Sequence, residues 1–240
     1  MLGYSRGMGE MIEITAATAG ASAVSGYLAT PPDGSGPGVI VVQEWWGLDS
    51  GIREICDLLS ANGFTAFAPD LYHGELAGHT EMDRAGELMA ALPMDRAGAD
   101  MAAAVDALAE HPATNGSGIG VVGFCMGGML TFVLAALRPD LVKVAVPFYG
   151  FPSGDSQPEY GRITAVVRGH MAENDDFFPP DAARDLEARL HALGVDATLT
   201  VHPGTGHAFM APHDALGTRD TALADRIWPE VFALLRSGLA

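Results

Sequence analysis

Cys125, His207 and Asp175 are the side chains whose types and settings suit nucleophilic chemistry on a carbonyl group, and Glu44 is a further polar residue placed directly after a strand. Cys125 lies in Gly123-Phe124-Cys125-Met126-Gly127-Gly128, between the apolar runs 119–122 and 129–134, a context that reads as strand, sharp turn and helix. A nucleophile at the tip of such a turn needs small neighbours two residues to either side, because the backbone is strained there and packs against adjoining strands. Gly123 and Gly127 meet that need, giving the G-x-S-x-G pattern with cysteine in the serine's place. A thiol is mostly protonated at neutral pH, so it attacks a carbonyl only with a base or a positive neighbour beside it. His207, in Gly206-His207-Ala208-Phe209, can take the proton and later return it to a leaving alcohol. A carboxylate behind the imidazole would fix its tautomer, and Asp175 and Asp176 both qualify by spacing. The Met126 backbone N–H, at the start of a helix, points to where negative charge would develop on a bound carbonyl.

The elements that must carry these residues follow from the apolar pattern. Residues 11–15 and 23–30 have strand character and are followed by the Pro- and Gly-rich break 31–38, which predicts an antiparallel edge leading into a sheet. Residues 39–42 form a continuous β-branched run, as expected of a strand buried on both faces, and Glu44 follows directly. A helix capped by Asp49 or Ser50 runs to about residue 61, and a strand covers 64–68. After a polar loop at 73–79, helices are predicted over 80–92 and 94–110, divided at Pro93. Beyond the elbow, strands are predicted over 143–148, 163–168 and 197–202, with a loop over 149–161 and helices over 181–193 and 221–235. Alternation on this scale predicts a mostly parallel α/β sheet with helices on both faces. In such sheets the reactive edge lies beyond the carboxyl ends of the strands, which is where Glu44, Cys125, Asp175 and His207 fall.

Composition narrows the function classes. The 240 residues carry 30 acids against 13 bases, a net charge of −17, with Lys143 the only lysine; this argues against nucleic acid or an anionic membrane as partner. With no apolar run of membrane-spanning length and no charged-then-apolar leader, a cytoplasmic protein is expected, a tail over 1–10 followed by a single domain over 11–240. The two cysteines fall in different contexts, Cys56 on the apolar face of a helix, so reduced thiols are expected, with Cys56 as core filler. His170, His202 and His207 with Asp175 could be drawn as a metal site, but no compact ligand spacing occurs, and the reading requires neither metal nor cofactor. Trp45, Trp46, Tyr149 and Phe177 are candidates to line a substrate cleft, with core packing an equal account of each, and Tyr72 shares the ambiguity.

Taken together, Gln43-Glu44-Trp45-Trp46-Gly47, Pro69-Asp70-Leu71-Tyr72, the cysteine elbow, Gly169-His170-Met171 followed by Asp175, and Gly206-His207-Ala208-Phe209 resemble dienelactone hydrolase, carboxymethylenebutenolidase. The likeness runs from about Glu13 to the C-terminus and implies an α/β-hydrolase fold that hydrolyses a carboxylic ester or lactone through a Cys125 thioester without a cofactor. It selects Asp175 as the triad acid, since the family's aspartate is followed two residues later by an aromatic, here Phe177. It gives Glu44 the role of first proton acceptor from the thiol and adds the Trp45 N–H to that of Met126 in the oxyanion hole. The sequence departs from the family where an arginine four residues after the catalytic histidine holds the substrate carboxylate: here that residue is Ala211. Arg84 is the one candidate for the family's second arginine, so the resemblance with this departure implies a preference for neutral esters or lactones. The same residues would also serve a general carboxylesterase or an acyltransferase, and a hydrolase-fold protein that binds a small molecule without turnover is the alternative of a different class.

Overall fold

Continuous β-branched runs can be buried on both faces only in the middle of a sheet, and Val39, Ile40, Val41 and Val42 occupy that place. The computed structural model describes residues 9–17, 22–154 and 157–240. Its eight strands are β1 (Glu10–Ile14), β2 (Val24–Ala29), β3 (Gly36–Val42), β4 (Thr65–Pro69), β5 (Thr114–Phe124), β6 (Val142–Phe148), β7 (Val166–Asn174) and β8 (Ala197–Gly206), in the spatial order β1-β2-β4-β3-β5-β6-β7-β8. β2 pairs antiparallel with β1 and with β4, and every pairing from β4 to β8 is parallel. The expected antiparallel edge and parallel body are both present.

Among the described residues six α-helices cover the two faces: α1 (Ser50–Ala61), α2 (Met82–Ala91), α3 (Met94–Ala109), α4 (Met126–Leu137), α5 (Pro180–Ala192) and α6 (Thr221–Leu239). Strand side chains alternate between two cores, so Ile40 and Val42 face α2, α3, α4 and α5, while Val39 and Val41 face α1 and α6. Cys56 of α1 is fully buried in the second core, where burial pushes its thiol well above the usual range. Among the described residues no helix is long and apolar enough to cross a membrane.

Two differences from the expected elements bear on the site. β7 begins at Val166 and runs on to Asn174, so Gly169, His170 and Met171 are strand residues that pair with Leu199, Thr200 and Val201 of β8. Their glycine and histidine hide the strand in the sequence, and the partner strand supplies the order. β5 likewise starts at Thr114, its first residues pairing with Gly36 and Pro37 of β3 across a register shift. The predicted tail over 1–10 is described only from Gly9, with β1 beginning at Glu10, and residues 155 and 156 of the 149–161 loop lie outside the described residues.

Candidate active site

Parallel register sets the site. Val42 of β3 lies beside Gly123 of β5, so Glu44 and Cys125, two residues further along each strand, leave the sheet side by side. At the other end, β7 and β8 change register after Ala172, and Asn174 pairs with Gly206. The next residues on the two strands are Asp175 and His207, and His207 Nδ1 meets Asp175 Oδ2 at 2.8 Å. Asp175 Oδ1 accepts from the backbone N–H groups of Phe177 and Phe178 at 2.9 and 3.0 Å. Both carboxylate oxygens are therefore engaged, which fixes the aspartate and makes Nδ1 the donating nitrogen of His207.

The elbow joins these two halves. Cys125 has φ 54° and ψ −116°, with its N–H donating to Phe148 O of β6 at 3.1 Å and its carbonyl accepting from Met129 N at 3.2 Å. A Cβ on Gly123 would run into Gly127 O, and one on Gly127 into Val42 O, so both glycines let backbone approach backbone. Cys125 is half-buried at the start of α4, within hydrogen-bonding reach of His207. Burial by itself would lower the imidazole pKa, but the hydrogen bonds to Asp175 and Cys125 and the negative charge on both outweigh it, and His207 is raised to about 10. The ring is held by aromatic neighbours, with Tyr149 edge-on at 5.1 Å and Phe178 stacked at 5.8 Å.

Glu44 has a partner that sequence reasoning missed. Its Oε2 accepts from Nε2 of His213, 2.8 Å away, and both side chains are nearly buried. Burial lowers the pKa of His213, but the bond and charge of Glu44 raise it overall. No motif marks His213, and its one sequence signal is that it follows β8 at the same sheet edge as His207.

These groups open into a cavity of about 430 Å³, with Glu44, Cys125, His207 and His213 on its polar side and Trp45, Trp46, Met89, Met126, Met129, Phe177, Phe178 and Leu216 among its apolar walls. A fixed acid, an imidazole and a thiol around such a space are equipped for acyl transfer. The dienelactone hydrolase family model matches residues 24–239, nine-tenths of the sequence.

The chain belongs to the dienelactone hydrolase family.

Protein Usf of Aquifex pyrophilus is 41% identical over 209 residues, which cover 85% of this chain and 87% of the relative. A protein of Aquifex aeolicus to which carboxymethylenebutenolidase activity is ascribed by inference is 38% identical over the same coverage. Among solved structures, a Klebsiella pneumoniae protein likewise ascribed as a dienelactone hydrolase superposes with a TM-score of 0.77 at 27% identity, covering 95% of this chain and 99% of its own. An esterase from the archaeon Pyrobaculum calidifontis shares the α/β-hydrolase fold at 16% identity, with a TM-score of 0.65 over 95% of this chain and 85% of its own. As a dienelactone hydrolase family member the chain is a hydrolase acting on ester bonds, with a small-molecule substrate.

The remaining candidate residues are distributed unequally. Trp45, Trp46, Met126 and Phe177 line the cavity with Cys125. Tyr149 lies behind it, fully buried, with its ring on His207 and Phe209. Arg84 is on the outer side of α2, paired with Glu75 and Glu87, and is not among the lining residues. Ala211 is buried and is not among the lining residues. Tyr72, ambiguous by sequence, donates from its hydroxyl to Trp45 O at 3.2 Å and so braces the segment that follows Glu44.

Proposed function

We propose that the chain hydrolyses uncharged carboxylic esters or lactones through a thioester on Cys125, with Asp175 and His207 completing the triad. The observation that carries this reading is the single imidazole of His207, bonded to Asp175 at 2.8 Å and within reach of the elbow thiol. An imidazole whose pKa is near 10 is protonated at neutral pH and so holds the proton that a leaving oxygen needs. Sγ of Cys125 attacks the substrate carbonyl carbon, and the carbonyl electron pair moves onto oxygen, where the N–H groups of Trp45 and Met126 receive it. Collapse of this intermediate breaks the ester C–O bond as His207 gives its proton to the leaving oxygen. In a lactone the alcohol stays tethered to the acyl group. Neutral His207 then takes a proton from water, whose oxygen attacks the thioester, and collapse breaks the C–S bond to return the thiolate.

Glu44 faces the same cavity and offers a carboxylate to take the thiol proton while His207 is charged. The preference for uncharged substrates is supported by the lining, which contains no lysine or arginine among the described residues. A short-chain p-nitrophenyl ester tests the mechanism. Rapid quenching and intact mass spectrometry should find one acyl group per chain, on Cys125, with a burst of nitrophenol. Steady turnover by Cys125→Ala at the wild-type rate would overturn it.

A further inference from the structure

Next to the cavity, which His213 lines, three segments remote in sequence bring two imidazoles and a carboxylate together. Asp49 is the N-cap of α1, and its Oδ1 accepts from Ile52 N at 2.9 Å, which orients the carboxylate. Its Oδ2 lies 2.6 Å from Nε2 of His79, in the connection between β4 and α2. The His79 ring lies against that of His213, in the connection between β8 and α6, with centroids 3.9 Å apart. One possible ligand atom from each of Asp49, His79 and His213 falls within 4.8 Å of the others. The side chains of Asp49, His79 and His213 are 13%, 31% and 11% exposed, and the Trp46 ring lies edge-on to both imidazoles.

Charge explains what this cluster is suited to hold. Each imidazole faces a carboxylate, His79 that of Asp49 and His213 that of Glu44. One divalent cation shared by the two imidazoles and Asp49 would balance the charge of the Asp49 and Glu44 carboxylates. Two nitrogens and one carboxylate oxygen, with further positions open to water, are a ligand set for Zn²⁺ or Co²⁺ rather than Mg²⁺ or Ca²⁺. Glu44, bonded to Nε2 of His213, is the carboxylate neighbour that metal-ligating histidines commonly have, and it leaves Nδ1 for the ion, which would displace the long 3.3 Å bond that Nδ1 accepts from Ala215 N.

We propose that Asp49, His79 and His213 form a binding site for a divalent transition-metal ion, Zn²⁺ by its ligand chemistry, which clasps three connections beside the cavity that His213 lines. The site uses none of Cys125, Asp175 and His207. Its ligands come from three loops, so no compact motif announces it.

The thiol of Cys125 with His207 could also take up Zn²⁺, so the test separates the two. Calorimetric titration of the full chain with Zn²⁺ should give one equivalent in Cys125→Ser, and Zn²⁺ should raise that variant's melting temperature. Adding His79→Gln or Asp49→Asn, neither of which empties a core position, should weaken Zn²⁺ by more than about 100-fold, beyond the range for loss of an outer carboxylate. These changes should also abolish the thermal shift. Co²⁺ bound to Cys125→Ser should show visible ligand-field bands without thiolate charge-transfer absorption. Loss of all binding in Cys125→Ser, or binding that survives both His79→Gln and Asp49→Asn unchanged, would overturn the proposal.

Discussion

At Cys125 a non-glycine residue holds φ 54° and ψ −116°, a conformation that costs on the order of 1–3 kcal/mol and survives only where neighbours enforce it. The enforcement comes from Gly123, Gly127 and the bond to Phe148 O. Replacing Cys125 by glycine should therefore give a protein about 1 kcal/mol more stable than Cys125→Ala, both inactive, as read by urea unfolding. Cys125→Ala and His207→Ala should each lower kcat by at least about a thousandfold, and the double variant should lose little more, because groups that act as one unit are not additive. Multiplicative losses would mean that they serve separate steps. Asp175→Asn should do more harm than Asp176→Asn, since it is Asp175 that contacts His207. Iodoacetamide should label Cys125 and spare the buried Cys56, by peptide mass spectrometry.

The triad depends at the next scale on how β5, β6, β7 and β8 lie against one another. Phe124, Phe148, His170 and His202, one from each of these strands, stack in series with centroids 4.9, 4.9 and 5.2 Å apart beneath the reactive edge. His170 Nδ1 and His202 Nε2 are 3.0 Å apart. Burial lowers the pKa of His170 to about 3, with the charge of His202 adding to the effect, so the folded chain keeps His170 neutral. In the unfolded chain a histidine takes up its proton near pH 6.5, and below that pH unfolding gains a proton that the fold refuses. This contribution to stability is intact above about pH 6.5 and is lost as pH falls toward 3, by up to about 1.4 kcal/mol per pH unit. His170→Gln, which keeps a donor but does not titrate, should flatten the acid limb of a stability–pH curve; an unchanged slope would assign it to other groups. On the elbow side, Gly127→Ala would press a methyl group on Val42 O and Gln43 O. About 1–3 kcal/mol of stability should be lost, together with activity, as the turn shifts.

For the whole molecule, shape and charge together bear on the substrate. A net charge of −17 repels anions at long range, and the cavity wall offers them neither arginine nor lysine among the described residues. A neutral short-chain p-nitrophenyl ester should thus show a higher kcat/KM than an anionic dienelactone at fixed ionic strength. Met89, 44% exposed on α2 and part of the wall, is the position at which to reverse this. Met89→Arg should raise the dienelactone value by roughly 10-fold or more, the worth of one charge-assisted hydrogen bond, and leave the neutral ester nearly unchanged. Faster dienelactone hydrolysis by the unaltered chain would mean that another group, with His213 the first to test, receives the carboxylate.

The layered α/β architecture and the places of Glu44, Cys125, Asp175 and His207 at the sheet edge were legible in the residues alone. Apolar period, β-branched runs and glycine spacing are local signals, and the order of strands and helices follows from them. The resemblance supplied the choice of Asp175 over Asp176, because the two carboxylates are equivalent to any argument from spacing. In the structure the change of register after Ala172 puts Asp175 next to His207, a matter of how β7 meets β8. The extent of β7 was illegible for the same reason, since Gly169 and His170 are held in a strand by their pairing and not by their propensity. His213 against Glu44, Arg84 turned outward and the meeting of Asp49, His79 and His213 had no sequence signature. Apart from Arg84, on α2, those side chains come from connections far apart along the chain, and the packing of the whole sheet edge sets the distances between them.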